Sequence, residues 1–163
     1  MDLELTSAAY HEAGHALVAH LLGGELVEVT LESEQDEHDG RTSVAWRGFD
    51  AVELARRTGL VALAGPVAET FWRGEELLYE DLSAWRADWA EVDAALERVH
   101  APSEHEALRR RWLAEVADEL LDSNVWEYVC RIADALEAHG TLDASLLDEL
   151  LPPLGSSHAG TEY

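Results

Sequence analysis

The order of hydrophobic and polar residues along the chain predicts a mainly helical domain with a short β-hairpin near its start. Val27, Val29 and Leu31 alternate with polar residues, which is the period of a half-buried strand, and residues 42–46 predict a returning strand. Apolar residues at helical spacing predict six helices, over about residues 6–22, 50–71, 83–100, 103–122, 124–139 and 142–151. The pattern therefore predicts an α+β fold in which helices dominate.

Local signals indicate where several of these helices begin, end and bend. Capping signals are Thr6 or Ser7 for the first helix, Asp50 with Glu53 for the second, and Ser103 with Glu106 for the fourth. Gly140 closes the fifth helix, as glycine commonly does at a helix C-terminus. Gly65 and Pro66 fall inside the second helix, and the proline predicts a kink there.

The composition is that of one packed and strongly acidic domain. The chain has 163 residues, 47% of them hydrophobic, with six Trp. We therefore expect residues 1–151 to form a single domain and residues 152–163 to form a flexible C-terminal tail. The net charge is −23, and every basic residue is Arg. This charge disfavours nucleic acid and anionic membrane surfaces as partners.

The cysteine usage and the N-terminal residues predict a cytoplasmic location. Cys130 is the only cysteine in the sequence, so it cannot form an internal disulfide, which fits a reducing compartment. Residues 1–5 lack the basic start of a signal peptide. No apolar run approaches the roughly 20 residues that a membrane-spanning helix requires.

The most specific chemical signal is an HExxH motif at residues 11–15, within the first predicted helix. Residues four apart on a helix lie nearly above one another, so His11 and His15 can direct their imidazoles at one cation. Glu12 lies about 100° round the helix from His11, where it can reach a water held by that cation. This is the zincin arrangement of two zinc ligands and a general base, and Gly14 leaves room for close helix packing. The alternative is two ordinary histidines with an accidental Glu between them.

A catalytic zinc ion needs a third protein ligand, and the third predicted helix offers a candidate. The apolar residues of this helix form one stripe, at Trp85, Trp89, Val92, Leu96 and Val99. Asp88 lies about 60° from Trp85, on the border of the stripe, whereas Glu91 points well away from it. A carboxylate at the edge of a buried face is costly unless it is paired or binds a metal. The alternative for Asp88 is a border residue that reaches solvent.

Two segments of the chain resemble a known family. Residues 9–16 read AYHEAGHA and closely match the corresponding segment of FtsH-type zinc metallopeptidases. Residues 63–69 read LAGPVAE and resemble the LxGRxAEE helix of that family, with Pro66 in place of Arg and Thr70 in place of the last Glu. The resemblance covers about residues 8–98. The chain resembles a free-standing peptidase domain without the family's ATPase ring or membrane anchor. The phosphate-binding motif of such an ATPase, GxxxxGKS or GxxxxGKT, does not occur in the sequence.

The resemblance implies where the remaining site residues lie. The third zinc ligand of the family is an Asp that follows the second of these segments. Asp88 fits this position best, and Asp81, which an aliphatic residue follows as is common in the family, is the runner-up. Glu69 would be a carboxylate that orients a ligand histidine. The alternative for Glu69 is an acid on the helix surface.

The implied activity is zinc-dependent hydrolysis of peptide bonds in flexible or unfolded polypeptides, with Glu12 as the general base. The predicted strands at 27–32 and 42–46 could supply an edge to which a peptide substrate adds as a β-strand. A second hypothesis is a non-proteolytic zinc-binding interaction module of the same fold, which acts with a protein partner or as a homo-oligomer. A third is a regulatory protease with one specific protein substrate. The presence of Glu12 favours an enzyme, and the departures at Pro66 and Thr70 slightly favour the module.

Overall fold

The computed structural model describes residues 2–32 and 40–154, and it shows an α+β fold in which helices predominate beside a small antiparallel sheet. Within these residues the α-helices are α1 (Leu3–Leu21), α2 (Ala51–Arg73), α3 (Arg86–Val99), α4 (His105–Leu121), α5 (Ser123–His139) and α6 (Ala144–Leu150). The strands are β1 (Glu25–Thr30), β2 (Arg41–Ala45) and β3 (Thr141–Asp143), and short 3-10 helices cover Tyr79–Ala84 and Pro102–Glu104. The predicted fold class is confirmed, while the predicted tail beyond residue 154 lies outside the described residues.

Two of the three predicted capping signals are wrong. Asp2, not Thr6 or Ser7, caps α1, because its carboxylate accepts hydrogen bonds from the backbone N–H groups of the first turn. Thr6 and Ser7 are instead buried inside that helix. The fourth helix begins at His105 with Glu104 at its N-cap position, because residues 102–104 form a 3-10 helix and Ser103 lies inside that helix. Asp50 caps α2 as predicted.

The start of the third helix is displaced by a 3-10 turn. The chain forms a 3-10 helix at Tyr79–Ala84 and enters α3 only after Trp85. Trp85 and Trp89 are half-buried against the core, while Val92 and Leu96 are completely buried, so the predicted apolar stripe is confirmed. The turn matters for the site because it sets where the first turn of α3, which contains Asp88, lies relative to α1.

The sheet has three strands in the order β2-β1-β3, and β1 is its central strand. The sequence pattern predicts the last helix from residue 142, but residues 141–143 form β3, and the helix begins only at Ala144 behind an Asp143 cap. β3 pairs with the second half of β1, at Glu28–Thr30. Of the two hairpin strands, β1 is therefore paired on both sides over that stretch, whereas β2 pairs on one side only within the described residues.

α1 and α2 pack side by side at very short range, and small residues make this possible. A Cβ atom on Gly14 would lie 2.5 Å from the Ala64 carbonyl oxygen and 2.6 Å from the Ala68 Cβ. The role predicted for Gly14, space for close packing, is thus confirmed. α2 continues without a break through Pro66, where the Thr70 hydroxyl donates a hydrogen bond to the Pro66 carbonyl. None of the helices in the described residues is both long enough and apolar enough to cross a membrane.

Candidate metal centre

The HExxH residues lie on the face of α1 that lines a solvent-open cavity of about 710 Å³. His15 and Glu12 are 7% and 5% exposed, and His11 is half-buried beside them. One nitrogen of each imidazole and one carboxylate oxygen of Glu12 lie within 4.8 Å of one another, so this group could hold a metal ion. The helical spacing of four residues places both rings over the same point, as the sequence predicts.

Asp88 reaches this point from α3, on the opposite wall of the cavity. Its carboxylate oxygens lie 2.8 Å from His11 Nε2 and 3.2 Å from His15 Nε2, and the two Nε2 atoms lie 3.1 Å apart. The Asp88 carboxylate is only 17% exposed. Of the two aspartates considered from the sequence, Asp88 is therefore the one that the fold brings to the histidines. Asp81 is exposed on the preceding 3-10 helix and does not line the cavity.

The outer nitrogen of each imidazole is held by α2. His11 Nδ1 lies 3.0 Å from Glu69 Oε1, and His15 Nδ1 lies 2.6 Å from the Val61 carbonyl oxygen. A carbonyl and a carboxylate can only accept, so each Nδ1 must donate its N–H. In the neutral rings, both Nε2 atoms then present lone pairs to the same point. Two lone pairs and a carboxylate about 3 Å apart repel one another unless a cation lies between them, so the donor set fits a bound metal ion.

The pKa values of the two histidines and of Asp88 also indicate that positive charge is favoured at this point. Burial lowers the pKa of His11, but its hydrogen bonds with Asp88 and Glu69 outweigh burial and raise that pKa to about 10. Burial likewise lowers and Asp88 raises the pKa of His15, with a net increase. Burial raises the pKa of Asp88, yet the charge of His15 and the hydrogen bonds from both histidines hold it well below its usual range. Without metal, protons take the place of the cation.

Glu69 is held in position by three donors. Besides His11, the Trp85 indole Nε1 donates to Glu69 Oε1 over 3.2 Å, and Arg73 Nη2 lies 3.2 Å from Glu69 Oε2. Burial raises the pKa of Glu69, but these hydrogen bonds and the Arg73 charge lower it overall, so the carboxylate is ionised. Glu69 is thus placed beside a candidate ligand histidine, where the sequence resemblance puts it. Trp85 also precedes Asp88 by three residues, so this indole ties the start of α3 to α2.

Gly65 packs directly against both imidazoles, a contact that the sequence pattern did not predict. A Cβ atom there would lie 2.4 Å from His15 Nε2 and 2.7 Å from His11 Nε2. α2 can therefore approach the two imidazoles only because residue 65 has no side chain. The available signal was a glycine in the interior of a predicted helix, where it costs about 1 kcal/mol relative to Ala and so indicates a close approach.

Two further residues, Glu91 and Thr42, line the cavity but were not predicted from the sequence to do so. Glu91 lies in the cavity lining, where burial and the charge of Asp88 raise its pKa. The Thr42 hydroxyl, from β2, contacts Glu12. No local sequence signal identifies Thr42, because its contact with α1 depends on how the sheet packs on that helix.

His20 lies away from the cavity, as its angle on the helix predicts, and its Nε2 lies 2.6 Å from the Pro152 carbonyl oxygen.

Comparison with known proteins does not assign a function to this site. No protein-family model matches the chain, and a search of curated proteins also finds no match. The resemblance of residues 9–16 to FtsH-type metallopeptidases therefore rests on the motif residues alone. The functional interpretation depends on the convergence of His11, Glu12, His15 and Asp88 in one open cavity.

Proposed function

We propose that this chain is a zinc-dependent metallopeptidase that hydrolyses peptide bonds in flexible or unfolded polypeptides. The observation that carries the proposal is the convergence of His11 Nε2, His15 Nε2 and the Asp88 carboxylate beside Glu12 in a solvent-open cavity. Three protein ligands with an open side are the arrangement of catalytic rather than structural zinc sites, which are closed by four. The cavity provides the space that a substrate carbonyl and a water would need.

The ligand set and Glu12 together favour zinc. Two imidazoles and one carboxylate suit zinc, although the same set also binds iron in non-haem oxygenases. Glu12 distinguishes the two, because a hydrolytic site uses a general base next to the metal. Zinc when bound supplies a Lewis acid that lowers the pKa of water and polarises a carbonyl oxygen. His11, His15 and Asp88 would hold the ion, with Glu69 and the Val61 carbonyl fixing the imidazoles.

The role of Glu12 follows from its position. A water molecule adds to the scissile carbonyl carbon, and Glu12 accepts the proton that this water loses. Glu12 then passes the proton to the leaving amine nitrogen, so that the C–N bond breaks with a neutral amine as product. The carboxylate is nearly buried against β2 and faces the cavity, which favours a single orientation for both proton transfers.

The edge strand β2 supports a peptide as the substrate. Arg41 and Thr42 line the cavity, and β2 has a partner on one side only within the described residues. An extended peptide can hydrogen-bond to such an edge and pass over the site as an added strand. Backbone groups inside the helices and sheets of a folded domain are already paired and cannot bind in this way, so we expect unfolded or flexible segments to be cleaved.

The direct test is metal analysis of the purified protein together with cleavage of an unfolded protein substrate. We expect one zinc ion per chain, its loss with chelator, and cleavage that returns when zinc is restored. Absence of stoichiometric metal after preparation with excess metal would contradict the proposal. Stoichiometric iron would instead indicate an iron-dependent oxygenase. Zinc without cleavage of any peptide library would support the interaction module, and cleavage of a single protein would support the regulatory protease.

The third ligand is tested by replacing the two candidate aspartates separately. We expect Asp88→Ala to lose stoichiometric zinc and cleavage, because it removes the carboxylate that touches both imidazoles. Asp81→Ala is the matched control, since Asp81 is exposed and outside the cavity. It should retain zinc and turnover. The measurement is zinc content after dialysis at equal protein concentration, and zinc loss in Asp81→Ala alone would reverse the assignment.

The Trp85 indole is expected to support the metal site through Glu69. Trp85→Phe keeps an aromatic ring but removes the N–H that Glu69 accepts, so Glu69 and the start of α3 should hold His11 and Asp88 less firmly. We expect zinc affinity to fall about 10-fold, as for other residues that orient metal ligands. Trp89→Phe is the control, because Trp89 packs against Tyr79 and Arg109 instead. Competition with a chromophoric chelator measures both, and equal affinities would exclude this role.

A further inference from the structure

The Glu12 side chain is held by strand β2. The Thr42 hydroxyl lies 2.9 Å from Glu12 Oε1 and 3.3 Å from the Glu12 carbonyl oxygen. A Cβ atom on Gly40 would lie 2.7 Å from Glu12 Cγ, so the backbone entering β2 passes directly over the aliphatic part of the side chain. Contacts at Cγ and at Oε1 together restrict rotation about the bonds of the Glu12 side chain.

The hydroxyl contact leaves the other carboxylate oxygen available. Thr42 occupies Oε1, and within residues 2–32 and 40–154 no hydrogen bond is formed to Glu12 Oε2. Glu12 is also one of the residues that line the open cavity. Within the described residues, the carboxylate thus has one oxygen anchored by a hydroxyl and one oxygen without a hydrogen bond.

We propose that Thr42 is a positioning residue that orients Glu12 for proton transfer. This inference rests on the proposed function, in which Glu12 is the general base, and it adds a residue outside the HExxH helix to the site. Proton transfer requires donor and acceptor within hydrogen-bond distance and alignment, and a displacement of about 1 Å can reduce the rate about 100-fold. A single hydroxyl that fixes Oε1 controls where Oε2 points.

The fold itself does not require the Thr42 hydroxyl. Residue 42 pairs with Val29 of β1 through its backbone, and Val has the same shape and a higher preference for strands than most residues. Thr42→Val should therefore fold and remove only the hydrogen bond, whereas Thr42→Ser keeps the hydroxyl. Ser43 is the matched control, because the next residue of a strand points to the opposite face of the sheet.

The experiment compares wild type, Thr42→Val, Thr42→Ser and Ser43→Ala with zinc bound. We expect all four to bind zinc with equal affinity and to have similar KM for an unfolded substrate. The kcat of Thr42→Val should fall about 10- to 100-fold, while Thr42→Ser and Ser43→Ala stay within about threefold of wild type. Unchanged kcat in Thr42→Val would overturn the inference, as would an equal loss in Thr42→Ser.

A crystal structure of each zinc-loaded variant separates this inference from the proposed function. The Glu12 carboxylate should adopt one orientation in wild type and Thr42→Ser and a different or a mixed orientation in Thr42→Val. If wild type cleaves nothing, the proposed function fails, and the Glu12 orientation alone then decides whether Thr42 positions it. The same single orientation in Thr42→Val would overturn the positioning role in either case.

Discussion

Glu12→Gln is expected to retain zinc and to lose peptide cleavage by about 10²- to 10⁴-fold in kcat, the usual contribution of a general base. The amide has the same shape as the carboxylate, and its oxygen can still accept the hydrogen bond from Thr42. It cannot accept a proton from water at neutral pH. The fold, the metal ligands and the cavity should therefore be unchanged, and the loss should appear in turnover.

The measurement is zinc content together with steady-state cleavage of an unfolded protein. Glu4→Gln is the matched control, because Glu4 lines the same cavity two turns earlier on α1 and loses the same charge. It should cleave at close to the wild-type rate. If Glu12→Gln kept wild-type turnover, the base would have to be another residue, and if it lost zinc, Glu12 would be a ligand.

Gly65→Ala is expected to weaken zinc binding about 100-fold and to reduce cleavage at limiting zinc correspondingly. The added methyl group would lie 2.4 Å from His15 Nε2 and 2.7 Å from His11 Nε2, the two nitrogens proposed to bind the ion. A bound ion would hold both imidazoles against the methyl group, so the overlap should lower the affinity for zinc. Overpacking of this kind costs about 1–3 kcal/mol, and about 1.4 kcal/mol corresponds to a factor of ten in affinity.

Gly59→Ala separates this effect from general damage to α2. It makes the same substitution in the same helix, with the same gain in helix propensity. Its methyl group would lie 2.4 Å from the Trp112 ring, far from the cavity lining. We expect Gly59→Ala to lower the melting temperature and keep its zinc affinity. Equal zinc affinities for the two variants would contradict the proposal that Gly65 leaves the space that the two imidazoles need.

The part of the site that follows from local geometry was predictable from the sequence. His11 and His15 share a helix face because four residues make slightly more than one turn, and no tertiary information is needed to place them together. The apolar stripe of α3 likewise indicates that Asp88 lies at the edge of a buried face. The α+β class follows from the same periodicities, since helices and strands differ in the spacing of their apolar residues.

The remaining features depend on how separate elements meet, which one sequence does not specify. β3 is three residues long, too short for a period of two to be recognised, and its pairing with β1 joins distant parts of the chain. In the sequence, Gly65 beside Pro66 indicates only a kink, and its contact with the histidines depends on the packing of α1 against α2. Thr42 touches Glu12 only because the sheet lies over α1. Each of these contacts is tertiary, and each bears on the site.

The separation of the candidate ligands along the chain links metal binding to folding. His11 and His15 belong to α1 and Asp88 to α3, with all of α2 between them. An ion held by these three residues would cross-link the chain between positions 11 and 88 into a closed loop, while α4, α5 and α6 remain outside it. The free energy of unfolding should therefore rise with the concentration of free metal. The thermal transition of this protein would then measure how fully the proposed metal site is occupied.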